Sequence, residues 1–136
     1  MNEISVQDQG TVSGCFGCGP DNLHGHRLKS FWRGDELVAH YTPQPYHCAG
    51  SPEIVYGGLI ISLLDCHSCN FAIARHYQEE KREIGSLPKI YCVTAQFNLS
   101  LVKPTPMGRE LEIHAKVKSS EGRKTWVECW LVADGE

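Results

Sequence analysis

The sequence has no excess of positive charge. Its 13 Lys and Arg face 16 Asp and Glu, a net charge of -3 with seven histidines neutral. Such a chain has no overall field to gather nucleic acid, so a nucleic-acid partner is not expected. An apolar signal core is missing too, because Met1 to Gly14 is polar. No run of about 18 or more apolar residues escapes polar interruption, so a membrane span is not expected. The lack of export signals points to the cytoplasm. There are no internal repeats and no low-complexity tracts.

What remains is ordinary in composition, with 41% hydrophobic and 21% charged residues. A length of 136 residues suits a single domain that buries its own core. Seven cysteines are a high, odd count. In a cytosolic chain they imply reduced thiols or a metal site rather than a disulfide frame.

Residues 1–14 read as a flexible lead-in, and 15–136 as one domain. Cys15 to Asn22 is a dense turn cluster. Leu28 to Trp32 and Leu37 to Tyr41 read as a hairpin turned by Arg33-Gly34-Asp35-Glu36. Pro43 to Pro52 is irregular. Gly57 to about Tyr77 lacks proline and is rich in Leu, Ile and Ala, which predicts a buried helix. Ile90 to Val102 alternates as a long strand, with Val93, Ala95, Phe97, Leu99 and Leu101 on one face. Leu111 to Val117 and Thr125 to Ala133 are further strands around a turn at Ser119 to Arg123. Short turns make such strands antiparallel, and one helix against one antiparallel sheet is an α+β solution. Asp134-Gly135 is a hairpin signal with only Glu136 after it. A fragment, or an edge strand unpaired on one side, is the expectation there.

Chemistry gathers on the helix. Gly57-Gly58 suits a first helical turn that a ligand approaches closely. The N–H groups there have no internal partners and lie at the positive end of the dipole, so they can hold an anion or a polarised carbonyl oxygen. Close packing of a helix start explains the same glycines equally well. Asp65, amid apolar neighbours, has to be paired, protonated or beside a cavity. Gly58, Ser62, Asp65, Cys69 and Ala72 form one stripe of small or polar residues. A carboxylate in a cleft is a candidate base or nucleophile; a structural, hydrogen-bonded aspartate is the alternative. Gly58 and Asp65 are separated by roughly 10 Å of helix rise. To act on one reacting group, one of them has to come from a neighbouring subunit.

Taken together, Cys15-x-x-Cys18-Gly19-x-x-Asn22, Ile54-Val55-Tyr56-Gly57-Gly58-Leu59-Ile60, Leu63-Leu64-Asp65, and Phe97 followed by Lys103-Pro104-x-Pro106-x-Gly108 resemble the PaaI-like hotdog acyl-CoA thioesterases. The resemblance runs from Cys15 to Ala133. It implies a hotdog fold, with an antiparallel β-sheet wrapped around one long central helix. It implies a homodimer or homotetramer and an acyl-CoA substrate at the dimer interface, with no separate cofactor because CoA is part of the substrate. By position, the Gly58 N–H polarises the thioester carbonyl, Asp65 of the partner subunit is base or nucleophile, and Thr94 helps orient water. Gly57, Tyr56, His47 and Ser62 are expected to bind substrate. Three departures stand out. Tyr56 replaces the usual histidine before Gly-Gly. Gly50 replaces a water-positioning asparagine, with His47 as stand-in. Cys66-His67 follows Asp65 in place of the usual acidic and small residues. The closing strand that the family places after the Asp-Gly turn has no counterpart.

No metal site is expected. Cys15-x-x-Cys18 and Cys66-x-x-Cys69, with His24, His26, His47 and Cys48, supply donors. Zinc needs four converging ligands, however, and Cys66 and Cys69 lie within the helix rather than on a knuckle. Lys103, Arg109, Lys116, Lys118, Arg123 and Lys124 are candidates for the CoA phosphates, or a solvated face. A hotdog module that binds acyl-CoA without turnover is the main rival, favoured by Tyr56 and Gly50. A hydratase lacks an Asp/His pair at suitable spacing.

Overall fold

A computed structural model describes residues 3–136, which form one helix and four strands. Helix α1, Gly57–Glu79, is the buried helix that the sequence predicts. It buries Leu59, Ile60, Leu63, Leu64, Phe71, Ile73 and Ala74, on more than one face. By length and composition α1 is apolar enough to cross a bilayer, but here that surface packs on the sheet.

The first hairpin is β1, Ser30–Arg33, and β2, Glu36–Tyr41. Its turn passes through Gly34 at φ 65, a left-handed conformation glycine adopts without strain. The second hairpin is β3, Leu111–Glu121, and β4, Lys124–Ala133. All neighbours are antiparallel, in the order β1-β2-β3-β4. Period-two alternation sets the inner face. Leu37 pairs with Ala115 and Ala39 with Ile113, while Ile113 and Ala115 pair onward with Leu131 and Cys129. Leu37, Ala39, Leu111, Ile113 and Ala115 have no exposed surface. On the outer face Trp130 lies opposite His114 and stacks on its ring. An antiparallel sheet packed on one long helix is the hotdog arrangement that the resemblance implies.

Two expectations are corrected. Ile90 to Val102 forms no paired strand; it runs extended past α1 with a bend at Ala95. Its one-faced alternation breaks there: Val93 is 88% exposed while Thr94 reaches the helix, and beyond the bend Phe97 lines the open cleft beside α1. Among the described residues no neighbouring strand completes a ladder with it, so pairing does not hold the pleat. The described part of the N-terminal lead-in, residues 3–14, is packed rather than loose, and Met1 and Asn2 lie outside the described residues. Ser5, Val6 and Gln7 are almost fully buried, and a short 3₁₀ turn covers Gln7–Gln9. The Asp134-Gly135 turn forms as expected, with both residues at positive φ and Ala133 and Glu136 exchanging backbone hydrogen bonds of 3.0 Å.

A buried polar relay joins lead-in, hairpin and helix. The Ser30 N–H donates to Gln7 Oε1 at 2.8 Å, and Gln7 Nε2 donates to Ser30 Oγ at 2.9 Å. Ser30 Oγ and His67 Nδ1 are 2.8 Å apart, and His67 Nε2 is 2.8 Å from the Leu37 carbonyl. The carbonyl can only accept, so Nε2 carries the proton and Nδ1 accepts from Ser30. Burial holds the ring neutral, pushing its pKa from 6.5 down to about 4. Between those values the unfolded chain takes up a proton that the folded chain refuses. Stability from this group is therefore lost as pH falls through that window. Urea unfolding at about pH 4.5 should show a loss of roughly 2 kcal/mol from this group relative to about pH 7. His67→Gln should remove that part of the pH dependence and cost ~1–3 kcal/mol near neutrality. Equal pH dependence in both proteins would show that His67 does not titrate in this way.

Candidate active site

Backbone bonds from both sides fix where α1 begins. Tyr56 N–H donates to the His47 carbonyl at 2.9 Å, and Val55 N–H to the Thr105 carbonyl at 2.8 Å. The chain then turns at Tyr56, whose carbonyl accepts from Leu59 N–H at 3.1 Å. The N–H groups of Gly57 and Gly58 meet no backbone acceptor among the described residues. The Tyr56 ring folds over Gly58: a Cβ there would lie 2.4 Å from a ring carbon. On Gly57 a Cβ would come 3.4 Å from Leu101 Cδ1. A Cβ at Gly58 would displace the exposed Tyr56 ring, while at Gly57 it would make only ordinary contact.

Two turns on, Asp65 is half-buried. Thr94 Oγ1 donates to Asp65 Oδ1 in a short hydrogen bond. Cys69 Sγ lies 3.0 Å from the same Thr94 oxygen. Thr94 has one proton and commits it to Asp65, so the Cys69 thiol is the donor in that contact. Burial pushes the Cys69 thiol up, which keeps it protonated for that role. Ser62 Oγ donates back to the Leu59 carbonyl at 2.8 Å, leaving only acceptor capacity toward the cleft.

Gly58, Ile61, Ser62, Asp65, Thr94 and Phe97 line one open cleft of ≈ 450 Å³. That volume falls in the range of small-molecule sites. Of the residues proposed from sequence, Gly58, Ser62, Asp65 and Thr94 come together here. Tyr56 and Gly57 sit at its helix-start end. His47 does not join them. Its ring lines a second cleft with Phe16, His26, Tyr41 and Tyr46, and its Nδ1 accepts from Gln44 N–H at 2.8 Å. Desolvation lowers the pKa of both His26 and His47. Sequence reasoning missed Ile61 and Phe97 as cleft walls. Ile61 is legible as the i+3 neighbour of Gly58 on the stripe; Phe97 depends on the bend at Ala95.

The basic candidates divide. Lys103 pairs with Glu136 at 3.1 Å and Arg109 with Asp134 at 2.7 Å. Lys116 reaches Glu128 at 3.9 Å. Among the described residues, Lys118, Arg123 and Lys124 form no ion pair.

The cysteines divide as well. Cys15, Cys18 and Cys66 bring their sulfurs together, whereas Cys69 turns to Thr94. The hydrogen bond from Cys66 lowers the Cys18 thiol to about 6. Giving that bond, with burial, pushes Cys66 up.

No protein-family model and no curated protein matches the chain. Solved structures do. A thioesterase superfamily protein from Shewanella loihica is 41% identical, covers 82% of this chain and 84% of its own, and superposes with a TM-score of 0.63. Zebrafish thioesterase superfamily member 2 is 15% identical, with 98% of this chain and 91% of its own covered at TM-score 0.64. The E. coli PaaI protein from the phenylacetic acid degradation operon is also 15% identical, with 79% and 72% covered at TM-score 0.58. These two show the shared fold. The identity to the Shewanella protein over four fifths of both chains shows the family: this chain belongs to the thioesterase superfamily.

Proposed function

We propose that this protein hydrolyses acyl-CoA thioesters in a homodimer or homotetramer, at sites shared between subunits. The observation that carries the reading is the Thr94–Asp65 hydrogen bond inside a cleft that also holds Gly58. Thr94 occupies Oδ1, which leaves Oδ2 to accept a proton from water. The thioester carbonyl oxygen rests against the Gly58 N–H at the start of α1, where the helix dipole favours the negative charge of a tetrahedral intermediate. Asp65 of the partner subunit removes a proton from the attacking water. Collapse of the intermediate expels the CoA thiolate, which takes a proton, and leaves the carboxylic acid. The helix rise of roughly 10 Å between Gly58 and Asp65 supports the division between subunits. Direct attack by Asp65 on the carbonyl, through an anhydride that water then hydrolyses, needs the same division between subunits but closer contact. CoA is spent as substrate, and no step requires a further cofactor.

A second reading rests on Tyr56. Its ring lies over Gly58 at the helix start. With that ring fixed, the protein would bind acyl-CoA without turnover.

Loss of thioester absorbance across a panel of acyl-CoAs separates the two readings. Wild type should hydrolyse at least one of them. Asp65→Asn should lose at least about 100-fold in kcat with its assembly state unchanged by light scattering. Binding without hydrolysis in wild type favours the second reading; full activity in Asp65→Asn removes Asp65 from catalysis. Thr94→Val gives a finer test. It removes the hydrogen bond that orients the Asp65 carboxylate, so kcat should fall at least about tenfold with KM little changed. An unchanged kcat would mean that Thr94 does not position Asp65.

A further inference from the structure

The turn cluster Cys15 to Asn22 is built to bring two of its sulfurs to a third on α1. A Cβ at Gly17 would lie 2.2 Å from Cys66 Sγ, so only glycine lets the loop backbone close onto that thiol. At Gly19 a Cβ would lie 2.4 Å from Cys15 N and 2.5 Å from the Ser13 carbonyl oxygen. There the loop folds back, with Gly19 N–H donating to the Cys15 carbonyl at 2.7 Å. As a result the Sγ atoms of Cys15, Cys18 and Cys66 all lie within 4.8 Å of one another, and those of Cys15 and Cys66 are 3.8 Å apart.

That separation has chemical meaning. Sulfurs bound at about 2.3 Å around a tetrahedral zinc ion lie about 3.8 Å apart. A disulfide would need about 2.0 Å. Asn70 supplies an independent observation. It is 1% exposed, and its Nδ2 donates to the Cys66 carbonyl at 2.7 Å and to Cys18 Sγ at 3.3 Å. Among the described residues its Oδ1 meets no donor. A side chain that only filled space would not leave a buried carbonyl unpaired in order to aim N–H at a sulfur. Such outer contacts orient thiolate ligands and support their charge.

We propose that Cys15, Cys18 and Cys66 form a binding site for a thiophilic divalent cation, Zn(II) foremost. The fourth position opens at half-buried Cys15 and takes water or a small exogenous ligand. Binding releases the thiol protons to solvent, and three thiolates around Zn(II) carry one net negative charge. The ion would pin the N-terminal loop to α1 at the residue after Asp65. The site takes Cys66 from the second Cys-x-x-Cys and leaves Cys69, so it is neither of the two sequence pairs alone. It does not depend on the proposed hydrolysis.

The test uses the full chain, reduced and freed of metal, titrated with Co(II) as an optical stand-in and then with Zn(II). Wild type should take up a single equivalent of Co(II), show thiolate-to-metal charge transfer, and lose that absorption when Zn(II) displaces it. Cys15→Ser, Cys18→Ser and Cys66→Ser should each weaken binding by at least about tenfold. Cys69→Ser should bind within about twofold of wild type, with circular dichroism confirming that each variant is folded. Absence of the thiolate band in reduced wild type would overturn the proposal without recourse to any variant. So would a band that survives Cys66→Ser in a folded protein, or one that Cys69→Ser abolishes. Air oxidation to a Cys15–Cys66 disulfide, with no Co(II) uptake after reduction, would assign the cluster to redox chemistry instead.

Discussion

Helix α1 fills the inner face of the sheet, and a helix so placed needs partners for its polar side chains. The fold answers this residue by residue, according to depth. His67, with no exposed surface, is held between Ser30 and the Leu37 carbonyl. Asn70 reaches the Cys66 carbonyl and Cys18 through its Nδ2, while its Oδ1 meets no donor among the described residues. Ser62 and Ser68 turn back to carbonyls of their own helix. Asp65 is less deeply placed and is bound through one oxygen, by Thr94. The candidate site lies where burial is incomplete. A carboxylate buried like His67 would lie out of water's reach, and one on the open surface would not be oriented.

The helix and both hairpins are legible in the sequence because local signals agree. Proline-free apolar density marks α1, and alternating residues with Gly34, Gly122 and Asp134-Gly135 mark the strand turns. The segment 90–102 carries an equally clear alternation and forms no strand. A strand is a property of pairs: without a neighbour to exchange hydrogen bonds, alternation leaves only an extended chain free to bend. The packed lead-in was hidden for a related reason. Gln7 is polar and reads as surface, yet both ends of its amide are satisfied by Ser30, 23 positions away.

At the site, Gly58, Ser62 and Asp65 follow from helical spacing alone. Thr94 rested on resemblance, since no local pattern relates residue 94 to residue 65. His47 was drawn toward the site by its place near Gly50. Its backbone does support Tyr56, but its ring faces the other cleft, where Gln44 N–H donates to its Nδ1 across the short turn Pro45–His47. The cysteines teach the same point. Cys-x-x-Cys spacing suggests two pairs, whereas a helix and a loop share sulfurs by where they touch, and Gly17 decides that contact.

In the proposed oligomer, the segment 90–102 would tie the candidate site to assembly. Tyr91 is 73% exposed and Val102 85%, a large apolar load for an extended chain facing water. Thr94 and Phe97 of the same segment form one wall of the cleft. The outer edge of β4 also has no paired strand among the described residues, and exposed edges of this kind invite pairing. In the proposed oligomer, a partner laid over this segment would cover the exposed side chains and narrow the cleft in one step. It would also bring a second α1 near, supplying the carboxylate that the rise between Gly58 and Asp65 keeps out of reach within one chain. Assembly and catalysis would then depend on the same residues. Substitutions at the exposed Val93 or Val102 would then act on turnover through the partner contact they make.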